Sequence, residues 1–412
     1  MRTIEAIAML TGTRGFADVT LADLIAEADI ARATFYKHFR DMKDCLLKAQ
    51  RHYAQVLLEE LEERPGNLWS TLATFASRNP HALAILAEVQ VAGEEASLDQ
   101  HDEIRDRLAA VLREDAKARP RPDLPPGLLV GTVMRVLARQ GRQHVTNPAV
   151  LSKHIEQWLA CYTVEQASTR WQELRFHDSI TTLEMDWPSD STALEAPDDK
   201  RLRSRRTFQA RKLAILRAVI HTVEQRGYEH TTVREIAAAA GVSREVFYIH
   251  YTDKVAAFRA IHEIVFGDVM ALCMRAFAQA AEWPEQVWRS GHVFASYFAS
   301  HPTLARFTFV DSLTSGPASA KHQLDSYMTA FMAFLDPSDR SGAQPAMYWT
   351  AQLIAAVIFE LGYQVLRADR SSQFAAQLPF ATYFTLAPFL GYEAANRFVE
   401  RKLHELESQA SS

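Results

Sequence analysis

The chain carries one sequence twice. Residues 15–39 read GFADVTLADLIAEADIARATFYKHF and residues 227–251 read GYEHTTVREIAAAAGVSREVFYIHY, in register without a gap at an offset of 212. Gly15 corresponds to Gly227, Thr20 to Thr232, Arg32 to Arg244, Phe35-Tyr36 to Phe247-Tyr248 and His38 to His250. Stacked repeat arrays recur every ~20–50 residues, so this offset implies two copies of one domain instead. The 412-residue length is enough for roughly two to three domains, each burying its own core.

Both copies read as helices. In the second, Leu213, Leu216, Val219, Ile220 and Val223 recur at spacings of three and four and form one apolar stripe. Gly227 stands where that helix should end in a left-handed residue. Thr232-Val-Arg-Glu235 is a capping box, in which the Thr hydroxyl takes a free backbone N–H and the Glu reaches back. A short helix ends near Ala240, Gly241 makes the turn, Ser243 caps the next helix and Asp253 the one after. Short helix, glycine turn, short helix is the helix-turn-helix pattern. The first copy keeps this skeleton with poorer punctuation. Asp29 stands in place of Gly241 and Ala31 in place of the capping Ser243, the latter at a cost on the order of 1 kcal/mol. No stretch alternates like a strand, so the predicted fold class is all-α.

The second copy's Thr231-Thr-Val-Arg-Glu-Ile-Ala through Gly241-Val-Ser to Phe247-Tyr-Ile-His-Tyr-Thr-Asp-Lys254 closely resembles the DNA-binding domain of the tetracycline-repressor (TetR) family of bacterial transcription regulators. The resemblance is good in the first copy too, and it implies two TetR-like units in tandem. Each would comprise a helix-turn-helix domain and a larger helical effector domain. The expected division is 1–48 and 49–175 for the first unit, an acidic, Pro-containing linker over 176–200, then 201–262 and 263–408 for the second. The linker runs abruptly into Lys200, Arg201, Arg203, Arg205, Arg206, Arg211 and Lys212, read as a disordered basic arm that reaches along DNA. The first copy has only Arg2 ahead of its first helix.

A recognition helix turns its N-terminal residues to base edges while flanking groups hold phosphates. In the second copy Arg244 and Glu245 are the base-reading candidates, since Arg takes guanine bidentately and Glu accepts from cytosine. The resemblance carries backbone contact onto Thr232, Tyr248, His250 and Lys254, and the capping Ser243 is counted with the DNA-binding set. The first-copy set is Thr20, Arg32, Ala33, Tyr36, Lys37 and His38, with Met42 where the second has Lys254. Phe35 and Phe247 take the inward slot, which leaves the tyrosines outward. The weaker punctuation and the missing arm and lysine mark the first copy as the weaker binder of DNA.

Net charge is −5, so DNA contact must rest on local patches. Cys45, Cys161 and Cys273 are scattered and suit neither a disulfide framework nor a zinc site. The most apolar run, Leu353 to Phe359, is flanked by Gln352 and Glu360 and is too short to span a membrane. The N-terminus is no signal peptide. A cytoplasmic protein without membrane contact, metal or cofactor is expected. No metalloprotease, nucleophile-elbow, P-loop or dinucleotide motif occurs, so it is not expected to be an enzyme. The resemblance further implies a small-molecule effector pocket and a dimer interface made by the last two long helices of each effector domain. Aromatics crowd the second half, which makes Phe294, Tyr297, Phe298, Phe307, Phe331, Trp349, Phe359 and Tyr363 the candidate lining for an apolar or aromatic ligand. Core packing is the alternative role for these rings. Candidate interface helices are 127–143 with 148–162, and 347–366 with 378–389. The two halves would face each other as an intramolecular pseudo-dimer, with a homodimer of tandem chains as the alternative. The function read from all this is a DNA-binding transcription regulator, a repressor acting on a double-stranded operator. The alternative is a helical ligand-binding or protein-interaction module that has lost DNA binding.

Overall fold

A computed structural model describes residues 1–87, 95–116, 125–142, 147–162, 200–311, 326–327, 329–332, 334–335, 345–368 and 370–410. The linker expected over 176–200 therefore lies, but for Lys200, outside the described residues. Among the described residues every regular element is helical. The first half comprises α1 (Arg2–Arg14), α2 (Leu21–Glu27), α3 (Arg32–His38), α4 (Met42–Glu63), α5 (Leu68–Arg78), α6 (Pro80–Ala87), α7 (Glu95–Ala116), α8 (Pro126–Arg142) and α9 (Pro148–Ala160). The second comprises α10 (Lys200–His230), α11 (Val233–Ala239), α12 (Arg244–His250), α13 (Lys254–Ala278), α14 (Trp283–Ser300), α15 (Pro302–Arg306), α16 (Pro345–Arg367), α17 (Leu378–Leu390) and α18 (Tyr392–Ala410).

The basic segment 200–212 is not a disordered arm but the start of α10, which continues as far as the backbone break at Gly227. The segment contains no proline or glycine and is mostly Arg and Lys, with Leu202, Gln209 and Ala210, all good helix formers, so helix wins over charge repulsion.

The two halves meet along a buried seam between α8–α9 and α16–α17. Along α8 the partners run backwards on α16. Arg135 Nε meets Glu360 Oε2 at 2.7 Å, and Gln140 Nε2 donates to Gln352 Oε1 at 3.0 Å. His154 stacks on Trp349 with ring centroids 5.7 Å apart, and the Tyr162 hydroxyl donates to the Phe384 carbonyl at 2.8 Å. From α7, Asp102 accepts from Tyr363 at 2.9 Å and from Arg367 at 2.8 Å. One apolar core runs through both effector regions and into the second helix-turn-helix, joining Leu137 and Trp158 to Leu353, Phe384 and Phe247. The first helix-turn-helix keeps a separate small core around Ile7, Leu24 and Phe35. One expectation needs correcting: α16 over Trp349–Arg367 is long and apolar enough to cross a membrane by composition. The apolar run proves longer than Leu353–Phe359 because Gln352 and Glu360 sit inside it. In the fold 78% of that window is buried, as a core helix requires.

His101 on α7 sits in this seam. Its Nδ1 lies 3.2 Å from the Leu86 carbonyl and its ring meets Tyr363 edge-on at 5.8 Å. Burial, and then Arg135, push its pKa down to about 4 against the opposing pull of Asp102 and Glu360, with Arg105 adding a smaller downward push. The folded state thus holds the neutral ring while an unfolded histidine takes a proton near pH 6.5. Stability is lost as pH falls through 6.5 and continues to fall until about 4. The total is about 3 kcal/mol. Denaturant midpoints measured down this range are expected to fall, and His101→Gln should flatten that part of the profile.

Candidate nucleic-acid interface

The two helix-turn-helix domains are built alike from their caps. The Thr20 hydroxyl accepts from Asp23 N at 3.1 Å and Thr232 from Glu235 N at 3.3 Å, and each carboxylate returns a bond to the Thr backbone N–H. The Thr hydroxyl, which also donates to the carboxylate, and then the Thr backbone N–H hold both carboxyls below their ordinary pKa range. The same ion pair braces each copy from behind, Arg14–Asp23 at 3.8 Å and Arg226–Glu235 at 2.9 Å. Asp41 and Asp253 cap the helices that lead away, α4 and α13.

The recognition helices present matching faces. Phe35 and Phe247 are fully buried, while Tyr36 and Tyr248 turn outward with about half their surface exposed. Arg32, Ala33, Lys37 and His38 are exposed on α3, and Arg244 and Glu245 on α12. The Arg32 guanidinium lies 6.0 Å from the Tyr36 ring. Ser243 accepts from Val246 N at 3.3 Å and also bonds Glu245, whose pKa is lowered first by that bond. Thr20, Thr232 and Ser243 are exposed as well as capping, so each stands where a backbone phosphate can approach. Ile249 is 68% exposed, an apolar side chain open to contact with a thymine methyl.

Two candidates are engaged within the protein. Lys254 Nζ donates to the Thr231 carbonyl at 3.1 Å and ties α13 to the start of the motif. His250 is half-buried against Phe208 of α10, centroids 4.2 Å apart. Its pKa is lowered by burial first, then by Lys212 and Arg211. In the first copy His38 is exposed. Sequence reasoning missed Phe208. Its signal was an aromatic among the basic residues of the α10 start.

The ligand candidates separate. Phe294 and Phe331 line a cleft of about 760 Å³ of empty space, partly open to solvent, within the second half. The other six do not line it. Tyr297 stacks on His301, Phe298 packs on Phe309 and Phe307 on Phe258, all as core. Trp349, Phe359 and Tyr363 face the seam, against His154, Arg135 and Asp102. Helical spacing puts such rings on different faces, so abundance did not identify the lining. The actual walls add Met270, Ile354, Ile358, Phe334 and Phe374, with the Thr382 hydroxyl as a buried polar group that has no hydrogen-bond partner. Among the described residues no group of His, Cys, Asp or Glu has the arrangement to hold a metal ion.

A profile described as "Bacterial regulatory proteins, tetR family" matches residues 4–49 and again 215–261. The family's profile thus matches both helix-turn-helix domains, in tandem. The HTH-type transcriptional regulator EthR of Mycobacterium tuberculosis is 34% identical over 110 residues, 25% of this chain and 51% of that protein. The chain thus spans about half the length of the curated relatives it matches. Among solved structures, the fatty acid degradation regulator FadR from Bacillus halodurans aligns with 44% of this chain and 97% of its own, at 16% identity and TM-score 0.38. Thermus thermophilus FadR, solved with lauroyl-CoA, aligns with 43% and 95%, at 23% identity and TM-score 0.37.

The turns of the two tetR-family domains differ in backbone strain. Asp29 holds φ 50° where Gly241 holds φ 65°, and only glycine takes that region freely. Asp29→Gly is therefore expected to stabilise the first domain by about 0.5–1 kcal/mol, since its ion pair with Arg2 is fully exposed and contributes little. Hydrogen exchange of α2 and α3 amides should slow; unchanged exchange would show that the turn is not strained.

Proposed function

We propose that the chain is a DNA-binding transcription regulator, a repressor, whose two unlike helix-turn-helix domains act as a pseudo-dimer within one polypeptide. The observation that carries this is the duplicated face: an Arg-led recognition helix with an outward Tyr beside a buried Phe, in both tetR-family domains. The continuous seam supports the pairing of halves. A double-stranded operator is the partner and the cytoplasm the place of action. The second domain is the stronger binder. It has the capped α12 and the unstrained Gly241 turn, both of which the first lacks, and the basic start of α10. Retardation of random-sequence duplexes tests the reading. Affinity is expected to fall linearly in log–log with salt. Tyr248→Ala should weaken binding roughly tenfold, the scale of a lost hydrogen bond to a charged group, and Tyr36→Ala by less. No retardation at low salt sinks the DNA reading, and equal losses sink the ranking of the domains.

The effector is a neutral apolar molecule bound in the second half. Among the described residues no charged side chain lines the cleft, and Thr382 offers one polar contact. The helix α16 supplies both the cleft wall, through Ile354, Ile358 and Leu361, and the seam, through Gln352, Glu360 and Tyr363. A ligand that favours one setting of α16 thereby biases how the two domains are held. In thermal-shift measurements decan-1-ol should stabilise the protein more than decane or decanoate, and Thr382→Val should erase the advantage over decane. Equal stabilisation by decanoate would contradict a neutral site.

A further inference from the structure

The seam is chemically lopsided, and the asymmetry decides which halves can pair. All the charge that α8 brings is positive, at Arg135, Arg139 and Arg142, with no acidic residue from Pro126 to Arg142. The helix α16 meets it with Glu360, its one acidic residue, and carries a single cation, Arg367 at its last position, which pairs with Asp99 and Asp102 of α7. Arg135 is 1% and Glu360 0% exposed. The carboxylate also accepts from Gln364 at 2.9 Å and has Arg105 of α7 at 3.9 Å. It sits in a notch that only Gly131 leaves open, since a Cβ there would stand 2.4 Å from Glu360 Oε1. The Arg135 guanidinium lies over the Phe359 and Tyr363 rings, 4.8 and 5.2 Å from their centroids.

Like halves meeting through these helices would lose all of this. Two first halves would bring α8 arginines together with no carboxylate on either helix. Two second halves would bury two Glu360 carboxylates without Arg135 or Arg105, and would part each Arg367 from Asp99 and Asp102 of α7. A buried ion pair adds little net stability over an apolar contact, but a buried charge without its partner is strongly destabilising. Such pairs therefore act as selectors between partners.

We infer that Arg135, Glu360 and the Gly131 notch form a charge lock that joins each half only to an unlike half, so that the chain always presents one recognition helix of each kind. This deepens the pseudo-dimer reading above and rests on it. The lock excludes four-domain assemblies made by like halves pairing across two chains.

A charge-exchange cycle on the full chain tests it, with thermal midpoint and light-scattering mass as readouts, neither of which involves DNA. Arg135→Glu and Glu360→Arg should each lower the midpoint by on the order of 10 °C. The double exchange should recover at least half of that loss, short of all of it because Arg105 would then face an arginine. If a reversal yields no folded protein, Arg135→Gln, Glu360→Gln and their double give the same reading: each single lowers the midpoint more than the double does. Additive losses, or singles that unfold like the wild type, overturn the lock. So does a wild-type chain dimer whose mass and midpoint are indifferent to both positions. A wild type that fails to retard DNA yet shows the coupling would sink the function and leave the lock standing.

Discussion

The ion pair between Arg135 and Glu360 is the contact around which the molecule is arranged. It links residues far apart in sequence, lies wholly out of water and has to be completed by both halves at once. Charges placed there commit α8 and α16 to each other, because either helix alone would strand a charge in the core. The surrounding contacts follow from that commitment: the Gln140–Gln352 amide pair, the His154–Trp349 stack and the Asp102 bonds to Tyr363 and Arg367. His101 is kept neutral by the same burial, so seam integrity is tied to pH.

With the halves held in this way, the asymmetry between the copies acquires a meaning. The second helix-turn-helix shares the large core through Phe247, Phe258 and Ile261, whereas the first is a small satellite core. Strain at Asp29 and the uncapped start of α3 fall on that satellite. A change in the cleft of the second half reaches α16 directly and α12 through α13. It reaches α3 only across the seam. We read the second domain as the anchored member of the pair and the first as the adjustable one.

Much of this was legible in the sequence, because its causes are local. The capping boxes, the Gly241 turn, the inward Phe beside an outward Tyr and the candidate seam helices depend on residues within a turn or two of each other. The long-range chemistry was not legible. Nothing near Glu360 in sequence announces Arg135, and Glu360 read simply as the end of an apolar run. The aromatic residues of the second half pointed to the right region, yet only Phe294 and Phe331 reach the cleft. The others fill the core or the seam because neighbouring helix positions face different ways. The basic run before the second copy was misread as an arm, since charge counted for more in that reading than helix propensity did.

On the proposed function, two unlike recognition helices fixed in one chain require an operator with two unlike half-sites. Paired helix-turn-helix domains contact sites about 34–36 Å apart, one DNA turn. Selection of bound sequences from a random duplex library measures this directly. The account requires an imperfect palindrome in which one half-site is more sharply defined, and Arg244→Ala should relax that half-site alone. A perfect palindrome, or a single isolated half-site, would contradict it.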